Sequence, residues 1–318
     1  MYKVAIIGAG QLGSRHLQGL KTAVSPLSIS VVDSCNESLQ VAKERYDTVQ
    51  AVGEKEVTYL TSIDKLPEEL DLVIVATGSK PRAAIVKSLL SAKNVKNIVL
   101  EKVLFPAMAD YDEIDQLLKE KSVKCWVNCP RRMYGLYQQI AGIIDKNKPV
   151  KMFYGEENWG LCCNSIHEID IFMYLTGEDN YTIDTSLLNT EIEASKRNGY
   201  IEMTGTLRIK TPNGSELILT SINGYERKVG ITIQNGDVDL FIDESKGLWS
   251  LNGEEHNFSV PYQSQLSGVL ADDLLSKGDC PLSTYKLSAS YHKPFIGALL
   301  LKYNIITAQK ENKLLPIT

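Results

Sequence analysis

The first thirteen residues constrain the fold more than any other stretch of the chain. The apolar run Val4–Ile7 stops at Gly8, and Gly10 and Gly13 complete the spacing Gly-x-Gly-x-x-Gly. In a dinucleotide-binding fold the first glycine permits a tight turn, the second lets the backbone approach a pyrophosphate, and the third lets a helix press on the sheet. A helix beginning near Gln11 would point its free N–H groups at the phosphates.

An acidic residue at the next strand end supports this interpretation. The predicted strand Ser28–Val32 is followed by Asp33. A carboxylate there accepts hydrogen bonds from the adenosine ribose and repels a 2′-phosphate, so NAD is expected rather than NADP. The alternative, ordinary turn glycines followed by a surface aspartate, is disfavoured by the order and spacing of the residues.

Strands and helices alternate through the first 130 residues. Asp71–Ala76 and Asn97–Leu100 are apolar runs typical of strands buried on both faces of a parallel sheet. The alternation predicts an α/β, doubly wound Rossmann domain over residues 1–130, with its ligand loops at the carboxyl ends of the strands. The predicted cofactor-binding residues lie at or beside such ends: Gly8, Gly10, Gln11, Leu12, Gly13, Asp33, Ser34, Ala76, Thr77, Gly78 and Glu101.

The pattern changes after Lys148-Pro149, where strands predominate. Pro212-Asn213-Gly214 and Asn235-Gly236 indicate hairpin turns. Residues 131–318 are therefore predicted to form an α+β domain for substrate binding and oligomerisation, with a large, mostly antiparallel sheet. Its closing helices have the option of packing back on the first domain. A broad sheet face would otherwise be exposed, so a homodimer or homotetramer is expected.

Composition excludes several classes of protein. A chain of 318 residues with 43% hydrophobic and 23% charged residues is long enough for two ordinary globular domains. The net charge of −5 and the scattered basic residues argue against nucleic acid as a partner. No apolar run approaches the roughly 20 residues that span a bilayer. Because the first strand begins at residue 2, no signal peptide is expected, and a cytoplasmic protein is predicted.

The cysteines and histidines do not predict a metal site. Six cysteines form no Cys-x-x-Cys array, and no His-x-x-x-His motif or His/Asp/Glu cluster suggests a metal. Reduced, mostly buried thiols are the expected state.

Lys102 is the first candidate catalytic residue. It directly follows Glu101 at the end of a buried strand, at the edge where a nicotinamide would lie. A lysine in this position is able to hydrogen-bond a substrate hydroxyl and help move its proton. The alternative is a solvated surface lysine.

His167 is the second candidate. It lies on a predicted helix over Asn164–Leu175, where Asn164, His167 and Asp170 follow the spacing i, i+3, i+6 and are expected to share a face. Histidine takes a hydroxyl proton near neutral pH, as oxidation of an alcohol requires. A histidine of the helix surface or core is an equally good interpretation of this segment taken by itself.

These residues together resemble the glucose–fructose oxidoreductase / inositol dehydrogenase / MocA family of NAD(P)-dependent oxidoreductases. The resemblance covers nearly the whole chain and rests on Gly8–Gly13, Ala76-Thr77, Glu101-Lys102, Asn128–Arg132 and His167–Asp170. It implies hydride transfer between NAD and a secondary alcohol or ketone of a sugar, cyclitol or nucleotide-sugar derivative, with Lys102 and His167 holding the hydroxyl. The expected substrate-binding residues are Asn164, Asp170, Trp159, Arg132 and Tyr134, and the last three suit packing equally well.

Two departures from the family pattern leave alternatives open. The family's Glu-Lys-Pro is Glu101-Lys102-Val103 here, and the aspartate that many members carry four residues before the histidine is Cys163. A carboxylate partner for His167 would have to come from elsewhere. One alternative is therefore an NAD-binding sensor without catalytic activity. Another is an enzyme that keeps NAD bound and recycles it within each cycle, as in a sugar-sugar oxidoreductase or a redox-assisted glycosidase.

Overall fold

The computed structural model describes residues 1–309 and 312–318, and these form two compact units. The first unit comprises Met1–Phe105, Ala109–Pro130 and Pro261–Lys286. The second unit comprises Pro106–Met108, Arg131–Val260 and Leu287–Thr318. The structure thus differs from the sequence-based division 1–130 and 131–318, because a segment near the carboxyl terminus clusters with the first unit.

Both units mix helices and strands. The helices are α1 (Gln11–Lys21), α2 (Asn36–Asp47), α3 (Ser79–Ala92), α4 (Ala109–Glu120), α5 (Gly135–Ile143), α6 (Leu161–Thr176), α7 (Gln263–Lys277) and α8 (Tyr285–Thr307). The first six strands in chain order are β1 (Tyr2–Ile7), β2 (Leu27–Val32), β3 (Lys55–Leu60), β4 (Glu69–Val75), β5 (Asn94–Glu101) and β6 (Lys124–Asn128). The remaining strands are β7 (Lys151–Glu156), β8 (Thr182–Asp184), β9 (Leu188–Ala194), β10 (Ile201–Lys210), β11 (Glu216–Ser221), β12 (Gly230–Asn235), β13 (Val238–Asp243), β14 (Leu248–Leu251), β15 (Glu254–Asn257) and β16 (Ser283–Thr284).

The first unit is a doubly wound sheet with the strand order β16-β6-β5-β4-β1-β2-β3. The strands β1 to β6 pair in parallel, and the short β16 is antiparallel to β6 at the edge. The chain reverses its direction of winding between β1 and β4, and ligands of such sheets bind at this switch point, beyond the carboxyl ends of the strands. The predicted Rossmann fold is confirmed.

Two glycines explain why α7 belongs to the first unit. A Cβ atom at Gly19 of α1 would lie 2.6 Å from the Cβ atom of Ser267, and one at Gly268 of α7 would lie 2.7 Å from the carbonyl oxygen of Gly19. The two helices therefore pack so closely that neither glycine position accommodates a side chain without a shift of the backbone.

The second unit is built on a nine-stranded sheet with the order β15-β14-β13-β12-β7-β11-β10-β8, and β9 pairs with β10. Its pairs are antiparallel except for β7 with β11. Alternation along β11 shows which face is covered, since Leu217 and Leu219 are fully buried whereas Ile218 and Thr220 are half-buried. Helix α6 packs on β10 and β11. The predicted large, mostly antiparallel sheet is confirmed.

The structure corrects several predicted boundaries. The helix predicted over Asn164–Leu175 begins three residues earlier, at Leu161, and ends at Thr176. The strand predicted over Asn97–Leu100 likewise begins earlier, at Asn94, and ends at Glu101. Within the described residues, no helix has the length and apolar character that crossing a membrane requires.

Candidate active site

The glycine loop has the geometry that its spacing predicts. Gly8 has a φ of +97°, which favours glycine. A Cβ atom at Gly13 would lie 1.8 Å from the carbonyl oxygen of Gly8, so no side chain fits between α1 and the loop. A Cβ atom at Gly10 would meet no atom within 4 Å. The space above Gly10 is thus open to a pyrophosphate, and residues at the start of α1 present backbone N–H groups there.

The Asp33 carboxylate is held between the glycine loop and the end of β2. Its Oδ2 accepts a hydrogen bond from the Ala9 backbone N–H at 2.7 Å, and its Oδ1 accepts one from the Cys35 N–H at 2.9 Å. These bonds fix the carboxylate at the strand end where the ribose of a dinucleotide binds in this fold.

A cavity of about 440 Å³ lies beside this carboxylate within the first unit. Four predicted cofactor-binding residues line it: Gly8, Asp33, Ser34 and Thr77. Three of its apolar lining residues, Ile63, Pro81 and Ile85, were not predicted. They follow β3 or lie in the first two turns of α3, positions that the strand-end rule would have singled out. The combination of apolar walls and one fixed carboxylate fits the adenosine part of NAD.

Glu101 makes its side-chain hydrogen bonds within the protein, and its predicted contact with the cofactor stays a prediction. Its side chain is buried, and Oε1 accepts hydrogen bonds from His16 Nε2 at 2.8 Å and from Asn128 Nδ2 at 2.6 Å. Burial alone would raise the pKa of Glu101, but the hydrogen bond and charge of His16, with help from Asn128 and Arg82, hold the pKa below its usual value. Glu101 therefore anchors the loop from within, and its carboxylate is engaged by protein groups.

Arg82 fixes the two loops that flank Lys102, a role not predicted from the sequence. The guanidinium is 1% exposed and donates hydrogen bonds to the carbonyl oxygens of Thr77, after β4, and of Val103 and Leu104, after β5. The peptide bond between Lys102 and Val103 is cis. Lys102 itself is half-buried. Its backbone is thus held on one side by the Glu101 network and on the other by Arg82.

In the second unit, α6 exposes a single narrow stripe. Only Asn164, His167 and Tyr174 are half-buried, and every other residue of this helix is buried. The stripe starts beside Gly160, which precedes the helix with a φ of +81°. The structure therefore places Asn164 and His167 together on the accessible side, as predicted.

Asp170 does not share this stripe. Its Oδ2 accepts a hydrogen bond from Arg132 Nε at 2.7 Å, and the two side chains are 1% and 8% exposed. Around the axis of an α-helix, residue i+6 points about 120° away from residue i, whereas residue i+3 points about 60° away. Asp170 consequently turns inward from Asn164. The buried ion pair favours a structural role for Asp170 and Arg132 over the predicted contact with substrate.

The two aromatic candidates have partners within the second unit. Trp159 donates its Nε1–H to the carbonyl oxygen of Thr220 at 2.9 Å and meets the ring of Tyr154 edge-on, with the ring centroids 4.8 Å apart. Tyr134 precedes α5 and lies 6.1 Å from Tyr137 between ring centroids. Both rings are half-buried, and a contact with substrate stays a prediction.

A cluster of charges around the buried Glu168, which follows His167 in the chain, includes the half-buried Arg131 and Glu244. Arg131 contacts the Glu168 carboxylate at 3.1 Å and donates two hydrogen bonds of 2.8 Å to Glu244. Tyr137 also donates to Glu244, at 2.7 Å. Burial raises the pKa of Glu168 to about 7, although Arg131 acts in the opposite direction. Glu168 is thus a carboxyl group that changes charge near neutral pH.

The cysteines follow the prediction in part. All six are free, and Cys125, Cys129, Cys162 and Cys163 are buried, but Cys35 is exposed. Within residues 1–309 and 312–318, no group of three or more His, Cys, Asp or Glu side chains is arranged to hold a metal ion.

Comparison with known proteins agrees with this geometry. Residues 2–129 match the model of the oxidoreductase family with an NAD-binding Rossmann fold, GFO_IDH_MocA. These residues are similar to the NAD-binding domain of that family. The match covers the glycine loop, Asp33, Thr77 and Glu101-Lys102, and it confirms NAD as the cofactor type of the fold.

Similarity to three dehydrogenases extends beyond residues 2–129 into the second unit. The chain is 22% identical to inositol 2-dehydrogenase 2 of Mycolicibacterium vanbaalenii in an alignment 296 residues long that covers 83% of this chain and 82% of that protein. Its fold is similar to that of scyllo-inositol dehydrogenase from Lactobacillus casei, solved with NAD(H) and scyllo-inositol (TM-score 0.65, 15% identity, 93% of this chain and 95% of that chain). It is similar as well to UDP-N-acetylglucosamine 3-dehydrogenase from Acidithiobacillus ferrooxidans (TM-score 0.66, 15% identity, 95% and 97%).

Proposed function

We propose that this protein is an NAD-dependent dehydrogenase that oxidises a secondary alcohol of a cyclitol or sugar, or reduces the corresponding ketone. The observation that carries the proposal is the position of Lys102. It is half-buried, follows a strand end anchored by the Glu101 carboxylate, and lies on a loop fixed by Arg82. A loop fixed from both sides holds a catalytic group in the geometry that proton transfer requires.

Each proposed catalytic residue has a distinct task in the oxidation. Lys102 is proposed to hydrogen-bond the substrate oxygen and hold it in place. His167, half-buried on the accessible stripe of α6, is proposed to accept the hydroxyl proton. NAD, when bound, accepts the hydride from the carbinol carbon. The carbon loses a hydride and the oxygen a proton, so the product is a ketone.

The cofactor preference is part of the proposal. Asp33 offers a fixed carboxylate at the ribose position, and Asp64 adds a second carboxylate to the lining of the same cavity. Two negative charges repel a 2′-phosphate, so NAD is favoured over NADP.

The substrate class is proposed from the relatives. Inositol dehydrogenases are among the proteins that this chain resembles, as is a dehydrogenase of a nucleotide sugar. Inositols are tested first because the relative with 22% identity is an inositol 2-dehydrogenase.

Calorimetric titration with NAD and NADP tests the cofactor, and NADH absorbance with myo-inositol, scyllo-inositol and UDP-N-acetylglucosamine tests the reaction. Selective NAD binding with NADH formation supports the proposal. NAD binding without turnover of any substrate would favour the sensor. Substrate conversion without NADH release, with NAD recovered from the denatured protein, would favour internal recycling. Absence of both binding and co-purified NAD would contradict all three.

Self-association is proposed for the second unit. One face of its sheet carries three half-buried apolar side chains, those of Phe153, Ile218 and Phe241. Partly exposed apolar surface of this kind is typical of contacts between subunits. Light scattering after gel filtration distinguishes a monomer from the expected dimer or tetramer.

A further inference from the structure

A carboxylate from the sheet stands at the start of α6. The Oε2 atom of Glu202, on β10, accepts a hydrogen bond from the backbone N–H of Cys162 at 2.8 Å. The residue before the helix is Gly160, which has no side chain with which to cap it. Glu202 therefore supplies the negative charge that the amino-terminal end of a helix favours.

The other oxygen of Glu202 lies beside the accessible stripe of α6. A Cβ atom at Gly160 would be 3.2 Å from Glu202 Oε1 and 2.9 Å from Asn164 Nδ2. The carboxylate oxygen and the amide nitrogen thus flank one point, one helical turn before His167 on the same stripe. Glu202 is itself half-buried.

The two acidic side chains of α6 itself do not lie on this stripe. Glu168 is buried against Arg131, and Asp170 is buried against Arg132. The side chain at position 163 is buried as well, with the Cys163 sulfur near the carbonyl oxygen of Ile201. The charge beside Asn164 therefore comes from the sheet.

A second carboxylate strengthens the negative character of this position. Glu193 on β9 stands directly opposite Glu202 in the antiparallel register. Residues paired in this way have their side chains on the same face, about 5 Å apart. Two neighbouring negative charges disfavour an anionic substrate, whereas a carboxylate oxygen readily accepts hydrogen bonds from hydroxyl groups.

We propose that Glu202 is a substrate-binding residue that selects a neutral polyol. Its Oε1 accepts a hydrogen bond from a hydroxyl next to the reacting one, and the Asn164 amide binds the same part of the substrate. This assignment rests on the dehydrogenase function proposed above and narrows its substrate class to uncharged polyols, excluding sugar acids.

The test compares wild type with Glu202→Gln. Glutamine keeps the size of the side chain and an oxygen for the Cys162 N–H, but it removes the charge. The probes are scyllo-inositol and myo-inositol as neutral polyols and D-glucuronate as a sugar acid. Glu216→Gln, on β11 beside Lys210, is the matched control because it removes a carboxylate at another place in the sheet.

Wild type is expected to use an inositol in strong preference to glucuronate. Glu202→Gln should lower kcat/KM for the inositol by about 10- to 100-fold, the range expected when a hydrogen bond to a charged group is lost. The same change should reduce the ratio of kcat/KM for the inositol to kcat/KM for glucuronate, while the control behaves as wild type. Calorimetric binding of scyllo-inositol in the presence of saturating NADH should weaken in parallel.

Several outcomes would overturn the assignment. A wild-type preference for glucuronate does so without any variant, as does failure of every neutral polyol to bind. If Glu202→Gln lowers Tm but leaves kcat/KM and selectivity unchanged, Glu202 is only a helix cap. Failure of the proposed function gives a different result from failure of this assignment. In that case wild type binds inositol but forms no NADH, and Glu202→Gln binds inositol more weakly than wild type.

Discussion

His16 and Glu101 form a buried pair in which Nε2 and Oε1 are 2.8 Å apart. The pair joins α1, the helix that follows the glycine loop, to the residue immediately before Lys102. His16 Nδ1 also lies 2.8 Å from Ser267 Oγ on α7, so three elements of the first unit meet at one imidazole. Cofactor loop and lysine loop are thereby parts of one hydrogen-bonded network.

His16→Ala is expected to destabilise the first unit strongly. Of the two described donors to the buried Glu101 carboxylate, it removes His16 and leaves Asn128. Removing one partner of a buried pair costs about 3–5 kcal/mol. Calorimetry should show a fall in Tm on the order of 10 °C. His256→Ala, on the hairpin strand β15, is the control and should change Tm little. Equal stability of the two variants would contradict the structural role of the pair.

Gly13→Ala and Gly10→Ala should fail in different ways. The methyl group at residue 13 would collide with the carbonyl oxygen of Gly8, so we expect a loss of at least about 3 kcal/mol in stability. The methyl group at residue 10 meets no protein atom within 4 Å, so the protein should keep its stability but bind NAD more weakly. Thermal unfolding with and without NAD separates the two effects. A stable Gly13→Ala variant would disprove the close packing of α1.

Arg82→Lys is expected to lower both stability and turnover. A lysine ammonium does not reach the carbonyl oxygens of Thr77, Val103 and Leu104 with the fork geometry of a guanidinium. Each buried carbonyl left without a donor costs about 1–3 kcal/mol. Arg15→Lys, exposed on α1, is the matched control for urea unfolding and kcat. Wild-type kcat in Arg82→Lys would show that the loop does not depend on this side chain.

Lys102→Ala and His167→Ala should each reduce kcat by about 10²- to 10⁴-fold, the usual contribution of a positioned acid or base. Affinity for NAD, measured by calorimetry, should change little because neither side chain is assigned to cofactor binding. Lys96→Ala, at the exposed start of β5, controls for loss of a lysine. Retention of wild-type turnover removes the altered residue from the mechanism.

Glu168→Gln should change how stability depends on pH. The folded pKa of about 7 lies above the ordinary value of 4.5, so between these values the folded protein holds a proton that the unfolded chain has released. Wild type therefore loses up to about 3 kcal/mol of stability from this group as pH rises from 4.5 through 7. The variant should lack this loss and exceed wild type at pH 8. Tm measured from pH 5 to 8, with Glu255→Gln as control, decides the matter.

The sequence by itself determined those features that depend on neighbours in the chain. The glycine spacing, the position of Asp33 after a strand and the β-branched runs predict the doubly wound sheet, because turn geometry and strand burial are set within a few residues. The pairing of Asn164 with His167 on one stripe follows for the same reason, since helix geometry fixes it.

Only the tertiary structure decided the contacts made across long separations. It placed Glu101 against His16, turned Asp170 towards Arg132, and brought Glu202 from β10 to the start of α6. Such contacts depend on which strands and helices are adjacent. Burial of a charge is costly unless the charge is paired. The pairing residue is set by the packing of the whole unit and is distant in sequence, so a local pattern does not predict it.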